Sequence, residues 1–170
     1  MILKLFGALC VILGCWGVGL AMAANARKEI ISLRQLIAVL DYMECELSYR
    51  MTSLSQLFRL SSGIANGSIQ RLTLCIAEEL EQQRSSSVNT CVVSAIKHCP
   101  DLTPLIAQRV IELGKTLGSF DLAGQIKCIR GINSENARIL DNLTGEYANR
   151  FRSYKTLGIC AGVALAILLV

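Results

Sequence analysis

Aromatic residues make up only 5% of this 170-residue chain, and proline occurs twice and histidine once. Few aromatics and no run of alternating apolar and polar residues argue against strands, which favour β-branched and aromatic side chains. A single histidine, His98, leaves little material for an imidazole-based metal site or a histidine general base. Cysteine is plentiful, with eight residues at positions 10, 15, 45, 75, 91, 99, 128 and 160, and the one C-x4-C spacing, Cys10 with Cys15, falls inside an uncharged apolar run with no second pair. A zinc framework is therefore not indicated, and scattered cysteines at helical positions act as small apolar residues, reduced in a cytoplasmic setting. The formal charge of +4 comes from 17 basic and 13 acidic residues interspersed along the middle of the chain. No basic stripe with stacking aromatics emerges, so nucleic acid is not an expected partner.

What is present is apolar and helix-forming. The hydrophobic fraction is 52% and mean hydropathy +0.47, too high for a wholly water-facing domain. Leu5 to Ala24, LFGALCVILGCWGVGLAMAA, holds no charge over twenty residues. A helix of that length spans about 30 Å, the thickness of the hydrocarbon core. Ala21-Met22-Ala23 resembles a signal-peptide cleavage site, and Leu13-Gly14-Cys15 a lipidation box. Arg27, Lys28 and Arg34 directly behind the run favour a retained membrane helix and place the following residues in the cytoplasm. The run from Leu157 to Val170, LGICAGVALAILLV, is shorter. Tyr154 and Lys155 stand at its interfacial end, and Arg150 and Arg152 give the same orientation. The expectation is a two-pass membrane protein with both termini outside: residues 1–24 and 156–170 as transmembrane helices, and 25–155 as a cytoplasmic helical domain. Gly158 and Gly162 form a GxxxG pair, a weak packing signal.

The middle reads as an all-α bundle of about six helices. Ile30, Leu33, Ile37, Leu40 and Leu47 mark one face of a helix over about 25–50, interrupted by Glu44. Thr52 or Ser53 is placed to cap a short helix with Leu54, Leu57, Phe58 and Leu60, and a third follows Asn66-Gly67 with Ile69, Leu72, Cys75 or Ile76, and Leu80. Ser87 is the expected N-cap of a fourth helix ending before Pro100. Thr103-Pro104 opens a fifth with Ile106, Val110, Leu113 and Leu117, which Gly118 is placed to end. The sixth starts near Asp121 with Leu122, Ile126, Ile129, Leu140, Leu143 and Tyr147, and is expected to run on into the final apolar segment.

Residues 113–118, LGKTLG, look at first like the end of a phosphate-binding loop. Such a loop needs a glycine five residues before its Gly-Lys pair and a helix N-terminus after it. Arg109 stands at the first place, and a helix precedes Lys115 instead of following it. Helix C-termini present carbonyls, which repel phosphate, so no nucleotide is expected here. Glu44 and Asp121 are the carboxylates that break apolar stripes or sit at junctions, but neither has a base, ligand set or glycine turn beside it in sequence. No catalytic residue, cofactor, metal or small-molecule substrate is indicated. The stretch is read instead as a helix-helix corner, with Leu113, Gly114, Leu117, Gly118, Asp121 and Gln125 as its structural residues.

The same residues, in the block LGKTLGSFDLAGQIKCI, resemble the pattern LGxxLGxxDxxxQ of the stage III sporulation protein AB family. Leu33 to Leu36, the ECELSY stretch at Glu44 to Tyr49, Thr52-x-Leu54 and both apolar ends fit the same family. The stretch VNTCVVSAIKH at 88–98 departs from its usual composition, which bears on any contact surface inherited there. The resemblance implies a non-enzymatic membrane component of the complex that joins mother cell and forespore. Its helical domain would be similar to the cytoplasmic domains of type II secretion and type IV pilus platform proteins, and would face the mother-cell cytoplasm. Its implied partners are membrane lipid and the other proteins of the stage III sporulation operon, including a secretion-type ATPase. Two other readings stand beside it: a platform component of another secretion or pilus system, and a small membrane enzyme subunit using Asp121 and Lys115. Alanine at Asp121 and, separately, at Lys115 distinguishes structure from chemistry in an assembly assay. Lost folding or assembly marks a structural role, whereas a stable, fully assembled but inactive protein marks catalysis.

Overall fold

The computed structural model describes the backbone of residues 2–50, 52–82, 87–117 and 121–169, and the side chains of 24–50, 52–82, 87–117 and 121–147. Among the described residues there are six α-helices and no strand: α1 (Ile2–Arg50), α2 (Leu54–Ser61), α3 (Gly67–Glu81), α4 (Val88–Lys97), α5 (Pro104–Thr116) and α6 (Leu122–Leu169). The all-α expectation and its helix order hold. Both long helices continue unbroken into the apolar ends of the sequence. Among the described residues no helix is long and apolar enough to cross a membrane. Apart from Ala24, the two apolar runs expected to do so lie outside the described side chains.

The chain divides into two compact units, one of residues 1–28 with 141–170 and one of Glu29–Leu140. The second is the helical bundle. In it α2 packs on α3, α3 on α4 and α4 on α5, each helix against its chain neighbour. The core is built from the apolar positions that helical periodicity brings to one side. Leu57 and Phe58 come from α2, Ile69, Leu72 and Ile76 from α3, Val92 and Ala95 from α4, and Ile106, Val110 and Leu113 from α5. On α1 the buried face is Leu33, Leu36, Leu40, Met43 and Leu47, with Val39 beside it.

Several expected positions shift within these stripes. Met43, not Glu44, fills the register on α1, and Ile37 is only half-buried. Glu44 lies one residue around the helix, where it accepts two hydrogen bonds from Arg130 of α6, from Nε at 3.0 Å and from Nη2 at 2.6 Å. Leu60 is exposed, because α2 is only eight residues long and the stripe through Leu57 and Phe58 already meets α3. On α6 the buried positions are Ile129, Ile132 and Asn136, while Ile126 and Leu140 are half-buried.

The helix starts fall where the capping residues predict, but the bonds differ. Ser53, Ser87 and Thr103 occupy N-cap positions in extended backbone and make no side-chain cap bond. Gly67 begins α3 at φ +61°, a left-handed conformation that costs glycine little and other residues more. The elements are tied at the surface by Arg59–Glu81 between α2 and α3 and by Arg71–Asp101 between α3 and the α4–α5 turn, each at 2.6 Å. Both pairs are well exposed, so each contributes only about 0–1 kcal/mol, and apolar burial carries the stability. Truncating the buried Phe58 to alanine is expected to cost about 3–5 kcal/mol, read as a lowered midpoint in chemical unfolding of the detergent-solubilised chain.

Candidate functional site

The corner between α5 and α6 is built from the α5 side first. Pro104 takes the first helical position, where its missing N–H removes no bond. Ile106, Val110 and Leu113 then recur on the inner face. Near the other end the Thr116 hydroxyl donates to the carbonyl of Leu113 at 2.9 Å, and the Leu117 N–H donates to the same carbonyl, also at 2.9 Å. Leu117 has φ −67° and ψ 133°, so the chain has already left the helix there, with its side chain buried. Leu117 is thus the C-cap, and the expected stop at Gly118 is the residue after it. An extended Leu117 anchored in the core ends the helix, and Gly118 itself lies outside the described residues.

Gly114 does something that its spacing did not reveal. A Cβ built on it would lie 2.9 Å from Val92 Cγ2, 3.0 Å from Val92 Cβ and 3.2 Å from Val92 Cγ1. The glycine therefore lets α5 lie directly against the β-branched side chain of α4. Valine is stiff about χ1 and has no far end that can swing aside. Sequence reasoning placed Gly114 in the corner but not against α4, because the opposing Val92 is twenty-two residues away in a separate helix.

On the α6 side, Asp121 is an N-cap in geometry and in bonding. Its Oδ1 accepts from the Gly124 N–H at 3.1 Å, and its carbonyl accepts from the Gln125 N–H at 2.9 Å. A carboxylate here also meets the positive end of the helix dipole. Gln125 is half-buried beside it. Leu113, Gly114 and Leu117 are thus brought together inside the bundle, while Asp121 and Lys115 are exposed. Lys115 stands in the last turn of α5, at the carbonyl end, the wrong polarity for a phosphate cradle.

The described cysteines differ in burial, with Cys91 and Cys99 buried, Cys75 and Cys128 half-buried and Cys45 exposed. Cys91 is buried and its thiol makes a long contact of 3.9 Å to the carbonyl of Glu79. His98 is exposed at the end of α4, and the next residue, Cys99, is buried. Burial, together with the adjacent Cys75 thiol, pushes the Cys99 thiol up to about 11. It is therefore protonated, and a poor nucleophile, across the physiological range. Among the described residues no three His, Cys, Asp or Glu side chains converge as a metal site. The described cysteines, 45, 75, 91, 99 and 128, are free thiols.

Residues 4–170 match the family described as stage III sporulation protein AB. A solved structure described as stage III sporulation protein AB is similar in fold, with a TM-score of 0.53 and 22% identity, covering 72% of this chain and 92% of that one. No match was found among curated proteins.

The close approach at Gly114 generates a prediction. Gly114→Ala is expected to destabilise the chain by about 1–3 kcal/mol, despite the better helix propensity of alanine. Adding Val92→Ala should recover much of that loss, so that the double variant is less destabilised than the sum of the two singles in a thermal-unfolding cycle.

Proposed function

The chain belongs to the stage III sporulation protein AB family, and from that premise we propose that it is a non-enzymatic membrane platform of the sporulation channel complex linking mother cell and forespore. The observation that carries the reading is the family match over residues 4–170, which includes both apolar ends as well as the bundle. A role in sporulation follows from the family; the platform role is the finer step. In it, residues 1–24 and 156–170 are membrane helices, and 25–155 is a domain on the mother-cell side of the membrane. Its partners are the other stage III sporulation operon proteins, among them a secretion-type ATPase.

The geometry supports docking over chemistry. A platform needs a shape that holds, and the bundle supplies one through a packed core and a corner of defined polarity. Charged groups of the described part are used between elements, as in Arg59–Glu81, Arg71–Asp101 and Arg130–Glu44. Asp121, the acid most open to a catalytic reading, is engaged in holding the first turn of α6. Such a domain recognises partners by the outward faces of its helices, where rim charges steer encounter and register.

Charge reversal on the outer face of α6 tests the reading. Lys127→Glu, at an exposed position, is expected to leave membrane association and folding unchanged while reducing both co-purification with the other complex components and the yield of heat-resistant spores. Normal spore yield from this variant and from equivalent reversals on α5 would mean that the α5–α6 surface is not the one used.

A further inference from the structure

Within the bundle, α6 is held differently from the other helices. From Leu122 to Leu140 it buries two apolar side chains, Ile129 and Ile132, and then the polar Asn136. The shorter α3 buries Ile69, Leu72, Ile76 and Ala77, and α5 buries Ile106, Val110 and Leu113. The remaining large apolar positions of this part of α6, Leu122, Ile126, Cys128, Ile139 and Leu140, are half-buried.

Asn136 is fully buried, and neither its Oδ1 nor its Nδ2 has a hydrogen-bond partner. One turn earlier, Asn133 donates from Nδ2 to Asp41 of α1, while its own Oδ1 is buried and unpartnered. Arg130 bonds to Glu44 of α1. These two links run in opposite directions along the helices, so α1 and α6 lie antiparallel, and continuing the register sets Asn136 beside residues 37–38. An amide removed from water without replacement bonds is unfavourable, and here it sits where the other helices place leucine, isoleucine or valine. The linking pairs to Asp41 and Glu44 are exposed at the rim, where water replaces them at little loss.

We propose that α6 is the releasable helix of this bundle, with Asn136 as the residue that keeps its hold on α1 weaker than the mutual hold of α2 to α5. Release returns the Asn136 amide to water and uncovers Ile129 and Ile132. The core of α2 to α5 stays closed. This goes beyond the platform reading and does not depend on which partners the domain meets.

Native-state hydrogen exchange of the full chain in detergent micelles, read by peptide mass spectrometry, tests it. Amides of residues 126–140 are expected to exchange at least about tenfold faster than those of 69–77, as a separate opening below global unfolding. Asn136→Leu, close in size, should slow exchange in 126–140 by about tenfold and leave 69–77 unchanged. Equal protection of α6 and α3 in the unaltered chain overturns the proposal. So does an Asn136→Leu chain in which 126–140 exchanges as fast or faster, since that outcome marks the amide as already satisfied by retained water. If this variant loses protection everywhere, the comparison of α6 with α3 in the unaltered chain decides alone.

Discussion

Mutual burial of short helices is the constraint on which everything else in this bundle rests. Helices α2 to α5 run 8, 15, 10 and 13 residues. Lengths in this range are marginal alone in water, because nucleation fixes several dihedrals before any bond rewards them. They persist because each turns an apolar stripe toward its neighbour. The most consequential of these meetings is that of α4 with α5, where a glycine and a valine allow backbone-to-side-chain contact. That approach fixes where α5 lies, hence where Leu117 enters the core and where the chain turns toward α6.

Polar groups take second place in this economy, and their placement is orderly. Ser61 returns its hydroxyl to the carbonyl of Phe58, and Thr73 to those of Ile69 and Gln70, so these two buried hydroxyls are satisfied within their own turns. Ion pairs stand outside and join elements. Single buried atoms are unmatched at Asn89, Thr103, Arg109 and Asn133, and Asn136 is the described residue with both of its polar side-chain atoms unmatched. It lies on a helix whose described side chains include two buried apolar ones, Ile129 and Ile132.

Much of this was legible in the residues. Helical periodicity located all six helices, and Pro104, Asp121 and Asn66-Gly67 marked starts that the structure keeps. The losses have physical causes. Where two residues compete for a buried register, as Met43 and Glu44 do, periodicity alone does not say how far the helix is rotated, and a partner such as Arg130, far along the chain, decides it. Leu60 was misplaced and Ile132 missed for the same reason: burial depends on which neighbour is present, and the chain does not write that locally. Capping residues announced helix starts without forming cap bonds at Ser53, Ser87 and Thr103, whereas Asp121 did form one. Among the corner residues, the pattern assigned Gly114 to a turn, whereas its contact is with a different helix.

The contact between Gly114 and Val92 also limits how this sequence drifts. Any side chain at position 114 meets the valine, and a smaller residue at position 92 leaves space that the glycine cannot fill. Neither position changes freely while the other stays. A substitution that enlarges the first calls for a smaller residue at the second, so the two positions, twenty-two residues apart, act as one packing unit.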